Sequence, residues 1–263
     1  MIKRALTVAG SDSGAGAGIQ ADLKTFAAHG VYGTCAVTAV TAQNTRGVTC
    51  WQALEADLVT AQIEAVVADI GAHAVKIGML ANAAIAEAVG AAIRDLDLPL
   101  VVVDPVMIAK GGDRLVSDEG VATIRSELLP LAHIVTPNVP EAEELAGTSI
   151  RSVSDMYEAA TRILRLGPRV VLVKGGHHPG PDSIDVCATA TESFEIRTPR
   201  IETRHTHGTG CTLSSAIAAN LALGLPDREA IELAREYLDG AIRHAPGFGK
   251  GHGPLNHFWR AVY

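Results

Sequence analysis

The segment His207-Gly208-Thr209-Gly210-Cys211 has the make-up of an anion site. Its glycines let backbone N–H groups approach a ligand closely. Leu213, Ile217 and Leu221 then mark one face of a helix that Gly224 closes. A Gly-x-Gly turn feeding a helix N-terminus presents free amides and the positive end of the helix dipole to a phosphate. Cys211 falls in the first turn of that helix, where a thiol pKa is expected to fall and the thiolate to be favoured. The same residues also describe a tight connection with a buried cysteine. Both readings stay open on this segment alone.

Further segments could serve a nucleotide or a heterocycle. Gly10 to Gly18 is rich in Gly, Ser and Asp, and Gly16-x-Gly18-x-x-Ala21 satisfies a loose dinucleotide fingerprint. That fingerprint calls for an acid about 20 residues further on, where Gln43 and Asn44 stand instead. A carboxamide both donates and accepts, which suits a polar heterocycle better than a ribose diol. Asn44 by itself reads as a solvent-facing amide. Met79, in Lys76-Ile77-Gly78-Met79-Leu80, belongs to an apolar pocket or to the core. Asp104, before Pro105, is a metal ligand or an Asx turn. Residues 108–115, with Lys110-Gly111-Gly112-Asp113, have a lid-like composition.

Asn138 and Glu141 could organise Mg²⁺ and its waters. Glu141 also fits as a first-turn carboxylate on a helix dipole. Lys174, before Gly175-Gly176, could place an ammonium near phosphate or lie at a surface turn. His177-His178 and His205-x-His207 lack a zinc-like partner set.

These segments need elements to position them. Ala5 to Ala9, Cys35 to Val40, Ala74 to Ile77, Leu100 to Val103, Ile134-Val135 and Val170 to Val173 read as strands. Helical spacing separates them: Ile19 to Gly30, Val59 to Ile70, Asn82 to Arg94, Ser117 to Leu129, and a helix opened by Ser154. Such alternation predicts βαβ units and a mostly parallel sheet. Ser183 to Ala188 and Ser193 to Arg197 predict a small antiparallel hairpin. Two helices follow, about Cys211 to Leu223 and Asp227 to His244. The expected fold is α/β, a three-layer αβα sandwich in a single domain over residues 1–263.

Composition agrees with that fold. The chain has 263 residues, 48% hydrophobic and only 4% aromatic, so Ala, Val, Leu and Ile must build the core. The formal net charge is −7 with no basic stripe, which argues against nucleic acid as a partner. The four cysteines form no Cys-x-x-Cys pair. No apolar run reaches the length of a membrane span, and the start lacks a long apolar stretch, so a cytoplasmic location and no membrane partner are expected.

Taken together in order, these segments resemble hydroxymethylpyrimidine/phosphomethylpyrimidine kinase of thiamine biosynthesis, within the ribokinase-like superfamily. The resemblance rests on Gly10-Ser11-Asp12-Ser13-Gly14, Thr41-Ala42-Gln43-Asn44, Lys76-Ile77-Gly78-Met79-Leu80, Asp104-Pro105-Val106-Met107 and Thr136-Pro137-Asn138 with Glu141. Lys174-Gly175-Gly176, His207 to Thr212 and Gly251-His252-Gly253-Pro254 complete it. It departs at Ala15, where the family often has Gly, and at Gly111, where Ser is common.

The resemblance implies ATP and Mg²⁺ as cofactors. It also implies hydroxymethylpyrimidine and its monophosphate as substrates, and a homodimer. It implies that Gln43 binds the aminopyrimidine edge while Gly10, Ala17, Met79 and Val106 shape the pocket. Gly208, Thr209, Gly210 and Cys211 would hold the transferring phosphoryl group. Cys211 stands where many relatives carry an Asp base and would inherit that role. Asp104 and Glu141 would manage Mg²⁺, with Lys174, Asn138 and Thr209 near the ATP phosphates. The adenine would lie by the hairpin and the helix near Ala241 to Ala245. A pyridoxal-type kinase of the same superfamily is the nearest alternative. A non-catalytic or NAD-binding α/β protein is the alternative of another class.

Overall fold

A computed structural model of the chain describes residues 1–107, 116–176 and 180–261. The lid-like segment 108–115 and the His177-His178 pair lie outside the described residues.

Nine strands form one sheet. They are β1 (Arg4–Asp12), β2 (Tyr32–Asn44), β3 (Gly47–Ala53), β4 (Ala74–Ile77), β5 (Val101–Val103), β6 (Ile134–Val135), β7 (Val170–Val173), β8 (Asp182–Thr189) and β9 (Ser193–Pro199). Their order is β3-β2-β1-β4-β5-β6-β7-β8-β9. The central pairings from β2 to β7 are parallel; β3 at one edge and β8-β9 at the other are antiparallel. β4 to β7 are buried on both faces, which is why their sequences show apolar runs without alternation.

The helices are α1 (Gly18–Ala28), α2 (Ala56–Asp69), α3 (Ala83–Asp95), α4 (Asp118–Thr123), α5 (Val139–Ala146), α6 (Val153–Leu164), α7 (Thr209–Leu223) and α8 (Asp227–Arg243). Two apolar clusters divide them. One gathers Ile63, Ile85, Leu128, Leu145 and Met156 on the face covered by α2 to α6. The other gathers Phe26, Leu213, Ile217, Ile231 and Tyr237 on the face of α1, α7 and α8. The three-layer αβα expectation is met. α7 lies deepest, buried from Thr212 to Ala222.

Two local expectations are corrected, and one strand lies outside them. The strand β3 was not anticipated: its Thr49, Cys50, Trp51 and Gln52 are all exposed, so no alternation announces it. α6 is capped by Ser152, not Ser154; the Ser152 side chain accepts from Asp155 N and Asp155 answers to Ser152 N, a capping box. The helix expected from Ser117 to Leu129 gives way to a π turn at Ile124–Leu128 and a 3₁₀ turn at Leu129–Leu131. Pro130 cannot donate a backbone hydrogen bond there.

Ala15 has a φ of +59°, in the left-handed region that glycine tolerates best. Ala15→Gly is therefore expected to raise stability by up to about 1 kcal/mol, read from denaturant midpoints. A loss of stability on that change would show that the loop draws more from Ala15 than its backbone reveals.

Candidate functional site

The parallel strands end on one side of the sheet, where an open α/β fold binds ligands. There a cavity of about 630 Å³ is lined by residues from the ends of all six parallel strands and the N-terminus of α7. Gly208 caps α7 at φ +84°, and a Cβ on it would come within 1.8 Å of the Gly16 carbonyl oxygen. The two glycine loops therefore pack directly on each other. The Gly18 N–H, at the N-terminus of α1, is close enough to favour the charged form of the Cys211 thiol. Cys211 thus lies between two helix starts.

The expected thiolate is nevertheless corrected. Burial pushes the Cys211 thiol up to about 11; Lys76 pulls it down, but Asp22 and Asp104 push it up again. Helix N-termini alone do not overcome that enclosure.

The loop Gly10 to Gly18 is closed around Asp12. Its carboxylate accepts from Gly14 N at 2.8 Å, Gly16 N at 3.1 Å and Ala17 N at 2.9 Å. Burial raises the Asp12 pKa, yet the His207 imidazole and these amides win and hold it below the usual value. His207 Nε2 lies 2.8 Å from Asp12 Oδ2 and 3.4 Å from Gln43 Nε2. The amides a dinucleotide pyrophosphate needs are already taken by Asp12, which argues against the NAD-binding alternative. Gln43 lines the cavity and accepts from Thr41 Oγ1. Asn44 instead closes an Asx turn onto Arg46 N and lies outside the cavity wall.

The far side of the anion loop carries buried charge. Lys174 Nζ lies 2.7 Å from Asp104 Oδ1, and Thr136 Oγ1 donates to the same carboxylate. The Asx-turn reading of Asp104 is therefore not met; its side chain faces the cleft. A Cβ on Gly210 would lie 3.3 Å from both Asp104 Oδ2 and Lys174 Nζ, so the loop runs right over this pair. Burial opposes charge on Lys174, but Asp104 and Glu141 hold its pKa above the lysine value. Glu141 caps α5 with Asn138 and is also only 3% exposed. Burial pushes Glu141 up to about 7; Lys174 pulls it down and Asp104 pushes it up. Two enclosed carboxylates, one paired with Lys174 and the other under its electrostatic influence, are oxygen donors that could hold a magnesium ion entering with nucleotide phosphates.

All the residues expected from the sequence line this one cavity: Gly10, Ala17, Gln43, Met79, Asp104, Val106, Asn138, Glu141, Lys174 and Gly208 to Cys211. The Met79 sulfur would lie 3.3 Å from a Cβ on Gly10, so Gly10 leaves room for it. Apolar Pro199, Ile201, Leu238 and Ile242 also line the cavity, as do Arg235 and the Asp185 and Asp239 carboxylates it pairs with. Of the stretch Ala241 to Ala245, Ile242 reaches the cavity, and Ala241 is buried in the apolar cluster of α1, α7 and α8.

Sequence reasoning missed Asp12, Asp22 and Lys76. Lys76 is fully buried, with Nζ 2.9 Å from Asp22 Oδ2. Asp22 also accepts from Thr7 Oγ1 and Ser215 Oγ, each at 2.7 Å. A lysine inside the four-residue buried strand Ala74–Ile77 was the available signal.

Known proteins resemble this chain over nearly its whole length. The family model for phosphomethylpyrimidine kinase matches residues 12–256. A hydroxymethylpyrimidine/phosphomethylpyrimidine kinase of Synechococcus elongatus is 49% identical, over 97% of both chains. A thiamine biosynthesis bifunctional protein of Geobacter sulfurreducens is 50% identical over 97% of this chain, which spans 52% of that longer protein. The structure of a Bacillus subtilis pyridoxal kinase with ADP superposes with a TM-score of 0.91 at 37% identity, over 98% of each chain. A shared fold with one vitamin kinase and a nearer sequence match to another leave one assignment: this chain belongs to the phosphomethylpyrimidine kinase family.

Proposed function

We propose that this protein transfers phosphoryl groups from ATP, first to 4-amino-5-hydroxymethyl-2-methylpyrimidine and then to its monophosphate, in thiamine biosynthesis. One observation carries the reading. The Gly208 to Cys211 loop at the start of α7 lies directly over the Asp104–Lys174 pair, and Glu141 lines the same cleft. Phosphoryl transfer asks mainly for positioning and charge stabilisation, and that arrangement supplies both.

On this reading the amides of Gly208, Thr209 and Gly210 hold the transferring group. Lys174, Asn138 and Thr209 receive the ATP phosphates. Asp104 and Glu141 would hold Mg²⁺, which when bound neutralises charge between phosphates. Gln43 contacts the pyrimidine edge, and Gly10, Ala17, Met79 and Val106 wall its pocket. Cys211 takes the alcohol proton.

The test is a product analysis with hydroxymethylpyrimidine, ATP and Mg²⁺, counting phosphates added. Monophosphate appearing first and diphosphate after it is the expected result. The pyridoxal kinase superposition keeps a second reading in view. Turnover of pyridoxal with none of the pyrimidine would replace the first reading with it.

We also propose a homodimer along the β2–β3 side, where Tyr32, Val40 and Trp51 are 56%, 50% and 44% exposed. Light scattering at micromolar concentration reads it directly. Among the described residues no helix is long and apolar enough to cross a membrane.

A further inference from the structure

Lys76 is a charged side chain with no exposure, placed on a central strand where an apolar residue would pack more cheaply. Its partner Asp22, on α1, is bonded to Ser215 on α7, one turn beyond Cys211. β4 packs against α7, and both Lys76 and Cys211 line the cleft. Gly78 follows β4 with no side chain, and a Cβ there would lie 2.6 Å from Lys76 Nζ. The ammonium is thus enclosed in the cleft wall it shares with Cys211 and lies within electrostatic reach of the thiol.

We propose that Lys76 is a positioning residue for the first phosphorylation: its buried ammonium is the countercharge that lets Cys211 accept the substrate proton. This rests on Cys211 acting as base under the function proposed above. In that step the substrate O–H bond breaks as its oxygen forms the new O–P bond, the proton passes to the Cys211 thiolate to give the thiol, and the bond from the γ-phosphorus to the bridging oxygen of ATP breaks with its electron pair going to ADP. The phosphoryl group leaves ADP behind.

Four charged side chains bear on the thiol: Lys76 from β4, Asp22 from α1, Asp104 after β5 and Lys174 after β7. Lys76 draws the thiol pKa down while Asp22 and Asp104 raise it. Burial weighs against charge on Lys76 as well, yet Asp22, Cys211 and Asp104 keep it charged.

The experiment measures alkylation of Cys211 by iodoacetamide against pH, resolved by peptide mass spectrometry on the full chain. Cys187, fully buried in β8, reports on folding because it should stay unmodified. Asp22→Asn keeps the side-chain size and one accepting oxygen for Thr7 and Lys76, turns the bond to Ser215 into a donated one, and removes the competing carboxylate. It is expected to speed Cys211 alkylation at pH 8 at least tenfold. Lys76→Met with Asp22→Asn leaves no buried ion pair to satisfy. It is expected to be at least tenfold slower than Asp22→Asn alone, with its midpoint at higher pH. The same pair should differ in the first phosphorylation and not in the second.

Equal alkylation rates in the two variants would overturn the proposal, even if Cys211→Ala abolishes the first step. Shifted rates with an unimpaired first step in Cys211→Ala would instead remove the base role, and with it the use proposed for Lys76.

Discussion

Cys211→Ala is expected to slow phosphorylation of the pyrimidine alcohol by about 10²–10⁴-fold, the usual worth of a positioned base. Phosphorylation of the monophosphate should change only a few fold. The contrast follows from the two nucleophiles. The alcohol must lose a proton as it attacks. A phosphate monoester has its second pKa near about 6 and is already ionised at neutral pH, so it needs no base.

The structure adds a pH signature to this expectation. With the Cys211 thiol held up to about 11, only a small fraction is thiolate at neutral pH. The alcohol step in the free enzyme should therefore rise through the alkaline range as kcat/KM reports that ionisation. The monophosphate step should be flat above about pH 7, once its own phosphate is ionised. Initial rates taken separately with each substrate, from pH 6.5 to the alkaline limit of stability, make the comparison. Equal losses in both steps, or parallel pH profiles, would reduce Cys211 to a wall of the pocket.

The fold was legible where burial shows in the local sequence. Ala74 to Ile77, Ile134-Val135 and Val170 to Val173 are strands with the bounds read from their apolar runs. Asn82 caps α3 through Ile85 N, as its side chain suggests. β3 was not legible, because an exposed edge strand has no apolar face to announce it.

The site shows the same division. Residues at strand ends and helix starts could be found one by one, since each sits next to a local signal. The bond between His207 and Asp12 spans 195 residues, and nothing local encodes it. The Cys211 thiol shows the limit most clearly. Its place at a helix N-terminus was readable, but the burial and the carboxylates that reverse the shift come from α1 and the end of β5.

Lys174→Met is expected to destabilise the protein by about 3–5 kcal/mol near pH 8, a fall in Tm of about 10 °C. The lysine pairs with Asp104 and acts electrostatically on Glu141, so removing it leaves two enclosed carboxylates that repel without that cation. The size of the loss should depend on pH, and its sign can be worked out. Glu141 is raised in the folded protein from 4.5 to about 7. A carboxyl raised in this way favours the fold below pH 4.5, and that contribution is lost as pH rises through 7. A shift of this size corresponds to about 3 kcal/mol. Without Lys174, which pulls Glu141 down, the carboxyl should rise further. The variant therefore loses more stability than the parent on the alkaline side, and the gap narrows as pH falls toward 5 and Glu141 is protonated in both. Denaturant unfolding of parent and variant at pH 5, 6.5 and 8 measures that gap. A deficit equal at all three values would mean that Lys174 contributes packing and not charge. A gap that widens with pH would mean that the resting site stores electrostatic repulsion, held in check by one lysine. On the proposed function, that is the state a phosphate-bound cation is best placed to relieve.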